Sequence, residues 1–320
     1  MVKAINELHT PVALEYALEM LGPALEGKPA IMVDGTLGLG GHTEAFLEKF
    51  QQLTVIGIDR DESALALAAK RLERFGDRVR FANAIYSEIL EVLEDEGIKL
   101  VDAVLLDLGV SSMQLDEADR GFAYSFDAPL DMRMNQSEGK TAADILNTYS
   151  EVELARIFKE FGEERFAKQV AKAVVERRKS KQFVGSSDFA SLVSGVVPFI
   201  PGKTTGHPAK RVFQALRIEV NGELEILEET IPAAIDALAL GGRILVMSYH
   251  SLEDSIVKKT LIEAATSLTP IDMPIELPEH APVIRILTKG TAVASEAEKI
   301  KNPRAASVRM RAAEKIRVAA

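Results

Sequence analysis

The sequence predicts a Rossmann-like α/β fold with an inserted helical domain, and three observations lead to this prediction. Short apolar runs alternate with amphipathic segments in the first third of the 320 residues, as expected for a parallel sheet that is covered on both faces. This alternation stops after Gln114, where a loop-like stretch precedes a long helical one at 142–181. A strand pattern then returns at 243–248, after a helical segment at 223–240.

The alternating part of the chain contains four strand patterns and two helical patterns. The strand patterns are short apolar runs, and the helical patterns place apolar residues three and four positions apart. Strands are predicted at 30–34, 54–59, 79–82 and 103–107, and helices at 42–50 and 62–75. Three of these strands end in an acidic residue: Asp34, Asp59 and Asp107.

The interrupted alternation predicts two domains. A discontinuous domain comprises 1–115 and 216–320, and residues 116–215 form an inserted, mainly helical and basic domain that recognises the substrate. The run from Gly202 to Pro208 is predicted to be an ordered loop. The segment after Thr291 is rich in alanine, lysine and glutamate and is expected to be partly mobile.

The composition excludes several classes of protein. The chain contains no cysteine, which excludes disulfides and thiolate metal sites. It has neither a signal-peptide pattern nor an uncharged apolar stretch of about 18 residues, so a cytoplasmic protein without a membrane partner is expected. The net charge of −10 argues against a protein that covers nucleic acid with its whole surface.

Positive charge is concentrated in the inserted domain. Between Arg165 and Arg217 there are eleven basic residues against two acidic ones, Glu176 and Asp188. Such a stretch is either a solvated helix face or a surface that binds phosphates. The charge pattern alone leaves both interpretations open.

A glycine-rich turn from Gly35 to His42 follows the first predicted strand. Glycines permit positive φ and a close approach of the backbone to a ligand, and the helix start offers free N–H donors. Asp59, at the end of the next strand, is placed to accept hydrogen bonds from both hydroxyls of a ribose. These features predict a nucleotide-like cofactor, but a nicotinamide-binding domain uses the same devices, and some glycine turns bind nothing.

The segment after the fourth strand favours methyl transfer over hydride transfer. Asp107 to Gln114 combines an acid, a glycine, two hydroxyls and an amide within eight residues. It follows the strand edge where open α/β sheets bind ligands, and hydride transfer has no evident need for such a cluster. Tyr86 follows the third strand, where its ring either packs on an adenine or belongs to the core.

Several long motifs occur in order along nearly the whole chain. They are His9-Thr-Pro-Val12, Gly38-Leu-Gly-Gly-His42, Asp107-Leu-Gly-Val-Ser-Ser-Met-Gln-Leu-Asp116, Arg120-Gly-Phe122, Pro129-Leu-Asp-Met-Arg-Met134, His207-Pro-Ala-Lys-Arg-Val-Phe-Gln-Ala-Leu-Arg-Ile-Glu-Val-Asn221 and Ser248-Tyr-His-Ser-Leu-Glu-Asp254. Together they closely resemble the bacterial ribosomal RNA small subunit methyltransferase H family, formerly called MraW.

The resemblance implies a transferase that moves a methyl group from S-adenosylmethionine to the exocyclic N4 of a decoding-region cytidine in 16S ribosomal RNA. Its partner is then the small ribosomal subunit or a late assembly intermediate. The oligomeric state, monomer or homodimer, stays open. The family's cofactor contacts carry over onto seven residues of this chain: Gly40, Gly41, His42, Asp59, Tyr86, Asp107 and Gln114.

Methyl transfer to an exocyclic amine needs an acceptor for the amine hydrogen. Asp107 is the first candidate, either as that acceptor or as a cofactor anchor, and Ser111 and Ser112 are candidate base contacts. Asp131, with Arg133, is a candidate for closing the site, or else the two form a structural ion pair. His250, just past the strand predicted at 243–248, is either a contact to a base or phosphate or a buried, hydrogen-bonded histidine. The reaction requires no metal, and no residue spacing matches a metal site.

The basic stretch supplies the candidate contacts to RNA phosphates, with a salt-sensitive affinity. The target base has to be single-stranded or flipped out, so that N4 reaches the methyl carbon. A different methyl acceptor, such as DNA or a protein, and a nicotinamide-dependent oxidoreductase are the competing interpretations. The candidate RNA-binding residues are Lys168, Lys172, Arg177, Arg178, Lys210, Arg211 and Arg217.

Overall fold

The computed structural model describes residues 11–110, 120–122, 127–198, 207–270, 273 and 277–318. The chain forms two compact units. The first unit consists of Met1–Gly109 and Leu224–Ala320, and the second of Val110–Glu223. The sequence placed the domain limits at 115/116 and 215/216, and the role of the inserted part in substrate recognition stays a prediction.

The first unit is built on one mixed sheet. Its strand order is β3-β2-β1-β4-β5-β8-β6, with β7 paired to β8. Strands β1 to β5 run parallel, whereas β8 runs antiparallel to β5, β6 and β7. The bounds are β1 Ala30–Asp34, β2 Leu53–Asp59, β3 Val79–Asn83, β4 Val101–Asp107, β5 Leu238–Ser248, β6 Ile284–Ile286, β7 Ala292–Val293 and β8 Arg309–Lys315. The predicted α/β class is therefore confirmed.

The described helices are numbered in chain order. They are α1 Leu14–Leu25, α2 Gly41–Lys49, α3 Glu62–Leu72, α4 Ile89–Asp95, α5 Ala142–Thr148, α6 Glu151–Glu160, α7 Ala167–Arg178, α8 Ser186–Val196, α9 Lys210–Asn221, α10 Glu223–Ala237, α11 Ser251–Ala264 and α12 Glu296–Lys301. Short 3-10 turns occur at Glu73–Arg78, Tyr86–Glu88, Pro278–His280 and Pro303–Ser307. In the part of the chain that is described, every helix is too short or too polar to cross a membrane.

Both faces of the sheet are buried, as the continuous apolar runs of its strands require. Successive residues of β1 point to opposite faces, so Met32 joins the core on one side and Val33 the core on the other. Leu105 and Val104 of β4 divide in the same way. The sheet is thus fixed from both sides, and its strand ends are held in register.

The second unit is helical and contains α5 to α9, with a core of its own. The helical stretch predicted at 142–181 is confirmed, and it consists of three separate helices, α5 to α7. Ser150 begins a new helix, since its hydroxyl accepts from the N–H of Glu153 while the Glu153 carboxylate accepts from the N–H of Ser150. Gly162 lies between α6 and α7, where a Cβ would stand 2.6 Å from the carbonyl oxygen of Arg211.

Two further expectations differ from the structure in the C-terminal part of the first unit. The helical segment predicted at 223–240 ends earlier, because Leu238 already pairs with Val101 of β4. The segment after Thr291, expected to be partly mobile, contains β8, an interior strand of the sheet that pairs with β5 and β6. Alternate residues of β8 such as Met310 and Ala312 are buried, and the charged residues between them conceal this pattern in the composition.

Candidate active site

Three acidic residues meet along one edge of the sheet. Asp34, Asp59 and Asp107 are the last residues of β1, β2 and β4, which lie side by side in the order β2-β1-β4. Strands β1 and β4 are neighbours although two strands separate them in the chain, so the strand order reverses between them. Open α/β sheets bind their ligands outside the carboxyl ends of the strands at such a reversal.

The glycine turn after β1 closes against β2 and α3. Gly38 has a φ of +52° and donates its N–H to Oδ2 of Asp59 at 2.8 Å. Gly40, with a φ of +73°, precedes the first residue of α2, and a Cβ there would lie 2.8 Å from Cδ1 of Leu72. A side chain at Gly40 would therefore be both strained and crowded, which explains the glycine.

Asp34 holds the turn together. Its side chain is 1% exposed, and it accepts hydrogen bonds from the Thr43 hydroxyl at 2.7 Å and the Thr36 N–H at 3.3 Å. Burial raises the pKa of Asp34 above its usual value. Because both oxygens serve the turn and its helix, Asp34 fixes the backbone that a ligand would meet.

Asp59 is held by two backbone amides. Oδ2 accepts from Gly38, and Oδ1 accepts from the N–H of Asp61 at 2.9 Å. Burial raises the pKa of Asp59 to about 6, against the lowering effect of these two bonds. Each carboxylate oxygen keeps a further lone pair, so the pair of oxygens is able to accept hydrogen bonds from a diol.

Asp107 has a side chain that is 20% exposed, whereas Asp34 is 1% exposed. Its N–H donates to the Thr36 hydroxyl at 2.7 Å, and its Oδ1 accepts from the Tyr249 hydroxyl at 2.6 Å. Burial raises the pKa of Asp107, while a protonated His42 ring and the Tyr249 hydrogen bond act to lower it. The result is a fixed carboxylate with a raised basicity at the reversal point of the sheet.

His42 lies beside Asp107, with one ring nitrogen near the carboxylate. Nε2 of His42 is 2.9 Å from the carbonyl oxygen of Val12. A carbonyl only accepts, so in the neutral ring Nε2 carries the hydrogen and Nδ1 is an acceptor. Nδ1 lies 3.8 Å from Oδ2 of Asp107. Two acceptors that face each other suit an ammonium group or another donor placed between them.

Tyr249 is a site residue that the sequence reasoning missed. It directly follows β5, which pairs with β4 in a register that sets Met247 opposite Asp107. Because the carboxyl ends of neighbouring parallel strands lie at the same edge, the position of Tyr249 directly after the strand predicted at 243–248 could have identified it as a site residue. In the motif Ser248-Tyr-His-Ser-Leu-Glu-Asp254, the sequence reasoning selected His250 instead.

His250 serves the start of α11. Its Nδ1 accepts from the Glu253 N–H at 3.4 Å, and Glu253 Oε2 accepts from the His250 N–H at 3.2 Å. The sequence left His250 open between a contact to base or phosphate and a buried, hydrogen-bonded histidine. The capping geometry corresponds to the second of these.

Tyr86 and residues 111–114 were also predicted to contact the cofactor or the base. Tyr86 begins a 3-10 turn after β3, and its Cβ lies against Gly35, where a Cβ would be 3.3 Å away. Ser111, Ser112 and Gln114 lie outside the described residues. Their predicted roles as base contacts and cofactor contact stay predictions.

Asp131 and Arg133 form an ion pair within the second unit. Nε and Nη2 of Arg133 donate to Oδ1 and Oδ2 of Asp131, each at 2.8 Å. Burial acts to raise the pKa of Asp131, but the hydrogen bonds and charge of Arg133 outweigh it and hold the pKa below its usual value. The ion pair fits the structural alternative, and a catalytic role for Asp131 stays a prediction.

Some of the predicted RNA-binding residues are held by protein partners, and the others are exposed. Arg177, Arg178 and Arg217 are held by protein partners: the Asp188 carboxylate at 2.7 Å, the Leu146 carbonyl at 2.7 Å and the Glu223 carboxylate at 2.8 Å. Arg211 is exposed and donates to the Glu163 carbonyl at 2.9 Å. The exposed lysines are Lys168, Lys172 and Lys210.

Comparison with known proteins gives matches over almost the full chain. The family described as the MraW methylase family matches residues 6–316. A protein of Saccharopolyspora erythraea named ribosomal RNA small subunit methyltransferase H is 55% identical over 314 residues, which cover 98% of this chain and 95% of that protein. Proteins with the same name from Pseudarthrobacter chlorophenolicus and Nocardia farcinica are each 54% identical, and cover 98% and 97% of this chain and 97% of their own lengths.

Proposed function

Because this chain belongs to the MraW methylase family, we propose that it transfers a methyl group from S-adenosylmethionine to the exocyclic N4 of a decoding-region cytidine in 16S ribosomal RNA. Relatives that are more than half identical to it over nearly their whole length are named for methylation of small-subunit ribosomal RNA. The observation that carries the proposal is the fixed Asp107 carboxylate at the strand reversal, beside the glycine turn. The proposed substrate of this chain is the small subunit or a late assembly intermediate in the cytoplasm.

The residues at the sheet edge suit S-adenosylmethionine. The cofactor brings a positively charged sulfonium, an ammonium group and a ribose diol. The Asp59 oxygens would accept from the diol, and Nδ1 of His42 would accept from the ammonium group. Gly40 and Gly41 permit the backbone to approach the cofactor, and the Tyr86 ring would pack on the adenine.

The acceptor amine needs help because its lone pair is delocalised into the cytosine ring. A carboxylate that accepts a hydrogen bond from N4–H localises the lone pair on the nitrogen, which then attacks the methyl carbon in line with the departing sulfur. The nitrogen gains a positive charge as the C–N bond forms and the C–S bond breaks. Asp107, whose pKa burial raises, takes up the proton that the nitrogen then loses.

The test uses donor with a labelled methyl group and small subunits from cells that lack this protein. We expect label in 16S RNA, and digestion with mass mapping should place one methyl on N4 of a single cytidine. Label on another atom would contradict the N4 assignment, and label only in DNA or protein would contradict the RNA substrate. Calorimetry with S-adenosylmethionine and with NAD separates this function from an oxidoreductase, which would bind NAD alone.

The affinity for S-adenosylmethionine is expected to weaken in mild acid because of Asp59. With a pKa of about 6, this carboxyl is charged above pH 7 and mostly protonated at pH 5, where it accepts fewer hydrogen bonds from the ribose. Calorimetry should give a constant Kd above pH 7, and a Kd that rises by up to about tenfold per pH unit below 6.

The Asp59→Asn variant provides the control for this titration. It should bind the cofactor more weakly at pH 7.5 and lose most of the rise below pH 6. A pH profile of Kd that runs parallel in the variant and the unaltered chain would contradict the assignment. The free protein gives a second check: folded Asp59 binds a proton between pH 4 and 6 that unfolded Asp59 does not, so this group adds stability as the pH falls through that range.

The exposed lysines of the second unit are expected to contact RNA phosphates. Replacing Lys168, Lys172 and Lys210 by Ala removes three exposed charges. The slope of log K against log salt should fall by about 0.7 to 0.9 for each phosphate that no longer meets a lysine. Filter binding to small subunits at several salt concentrations measures this slope.

A second triple variant controls for the change in net charge. Lys70, Lys99 and Lys258 are exposed lysines of the first unit, and their replacement by Ala removes the same charge. We expect a salt slope close to that of the unaltered chain for this control. Equal slopes in both triple variants would contradict the assignment of the RNA surface to the second unit.

A further inference from the structure

The Tyr249 hydroxyl and the Asp107 carboxylate form a pair that the family comparison does not assign. The hydroxyl donates to Oδ1 at 2.6 Å. Asp107 is itself fixed through its backbone, because its N–H donates to the Thr36 hydroxyl at 2.7 Å. The carboxylate is therefore restrained at its backbone and at one of its two oxygens.

The Tyr249 ring is restrained as well. Its backbone N–H donates to Oε2 of Glu253 in the first turn of α11 at 2.7 Å. The ring packs against the core cluster on one face of the sheet, and its Cδ2 lies close to Gly109, where a Cβ would be only 3.5 Å away. The hydroxyl therefore has a defined position relative to the end of β4.

The hydroxyl is the donor in this pair throughout the neutral range. Burial, together with the nearby Asp107 charge, raises the pKa of Tyr249 well above that of a free tyrosine. Oδ1 is consequently occupied by a donor that does not titrate near neutral pH. The other oxygen, Oδ2, faces Nδ1 of His42 at 3.8 Å, a nitrogen that accepts in the neutral ring.

We propose that Tyr249 is a positioning residue for methyl transfer, which holds Oδ1 of Asp107 and thereby presents Oδ2 to the acceptor amine. This inference rests on the proposed function. Without the hydroxyl, the carboxylate is free to rotate about its Cβ–Cγ bond, and the productive orientation becomes one of several. The hydrogen bond also lowers the pKa of Asp107, so its loss makes the carboxylate protonate at a higher pH.

Other charged groups around Asp107 also act on its pKa. His42 of α2, when its ring is protonated, acts to lower the pKa of Asp107, while Asp34 of β1 and Glu253 of α11 act to raise it. The substitution of Tyr249 leaves all three in place. A change in the pH profile of the variant is then assigned to the missing hydroxyl.

The test is the Tyr249→Phe variant of the full chain, assayed on small subunits with saturating donor. A hydrogen bond to a charged group supports an expected loss of about 10- to 100-fold in kcat. The Kd of S-adenosylmethionine should stay within about threefold, and the acid limb of the kcat profile should move to higher pH. A kcat within twofold of the unaltered chain, with an unmoved acid limb, would overturn the proposal.

Two controls separate positioning from structure. Tyr16 also packs against the same core cluster, and Tyr16→Phe should leave kcat and its pH profile unchanged. In an Asp107→Asn background, Tyr249→Phe should cost little further activity, because the group that it positions is gone. Equal losses in both backgrounds would assign Tyr249 a purely structural role and overturn the proposal.

The outcome for the unaltered chain separates this inference from the proposed function. If the unaltered chain places no methyl on N4, the proposed function fails, and this inference fails with it. If the unaltered chain methylates N4 and Tyr249→Phe is indistinguishable from it, only this inference is overturned.

Discussion

Replacing Asp107 by Asn is expected to lower kcat for methyl transfer by about 10²- to 10⁴-fold, the range for loss of a positioned acid–base group. The side-chain shape is kept, but the variant has neither a negative charge near the developing cation nor a site for the departing proton. The Tyr249 hydroxyl, which donates to Oδ1, still finds an oxygen acceptor in the amide. Single-turnover assays at saturating donor and small subunits measure the loss.

The matched control is an aspartate at the other end of the same strand. Asp102 accepts from the Lys28 ammonium group and the Ile31 N–H, far along β4 from the carboxyl edge. Asp102→Asn should change the melting temperature and leave kcat within about twofold. If Asp107→Asn keeps a normal kcat and only weakens cofactor binding in calorimetry, Asp107 is a cofactor anchor and the amine hydrogen has another acceptor.

Replacing Gly121 by Ala is expected to destabilise the second unit by about 3 kcal/mol or more. Gly121 has a φ of +73°, which alone costs an alanine about 1 kcal/mol. Its added Cβ would also stand 2.0 Å from the carbonyl oxygen of Pro129 and 2.9 Å from the backbone nitrogen of Asp131. Backbone atoms cannot rotate away as a side chain does, so the segments around Gly121 and Pro129 have to move apart.

Gly139 separates the clash from the backbone strain. It belongs to the same unit and has a φ of +81°, but a Cβ there would meet no atom within 4 Å. Gly139→Ala should therefore cost only about 1 kcal/mol. Denaturant unfolding of the full-length variants, followed by circular dichroism, gives both values. Equal losses of unfolding free energy for the two substitutions would show that a Cβ at position 121 does not clash with the carbonyl oxygen of Pro129.

The sheet of the first unit was predictable because its strands carry local signals. The apolar runs ending at Asp34, Asp59 and Asp107 predicted three strands and the edge at which their acids meet. Strand β8 was missed because its identity depends on pairing with β5, a long-range contact. Its lysine end is buried for a tertiary reason as well, since Nζ of Lys315 donates to the carbonyls of Ile235 and Asp236 at the end of α10.

The candidate site was predictable in part for the same reason. A strand-end acid such as Asp107 is visible in the sequence, but the partner that orients it is not. The sequence alone also counts Arg177 and Arg217 of the second unit among the basic side chains available to RNA phosphates. The structure pairs them with Asp188 and Glu223, and only tertiary packing decides which basic side chains keep their charge for a ligand.

Because β4 pairs with β5, the contact between Asp107 and Tyr249 cannot form before residue 249 has been synthesised. Asp107 and Tyr249 are 142 residues apart in the chain, and the whole second unit lies between them. Closing a flexible loop costs more entropy as it lengthens, by about 0.6 kcal/mol for each doubling, so prior folding of the second unit makes the closure easier. During synthesis, β4 emerges well before its neighbour β5. The carboxylate at its end therefore acquires its orienting hydroxyl only after most of the chain has left the ribosome.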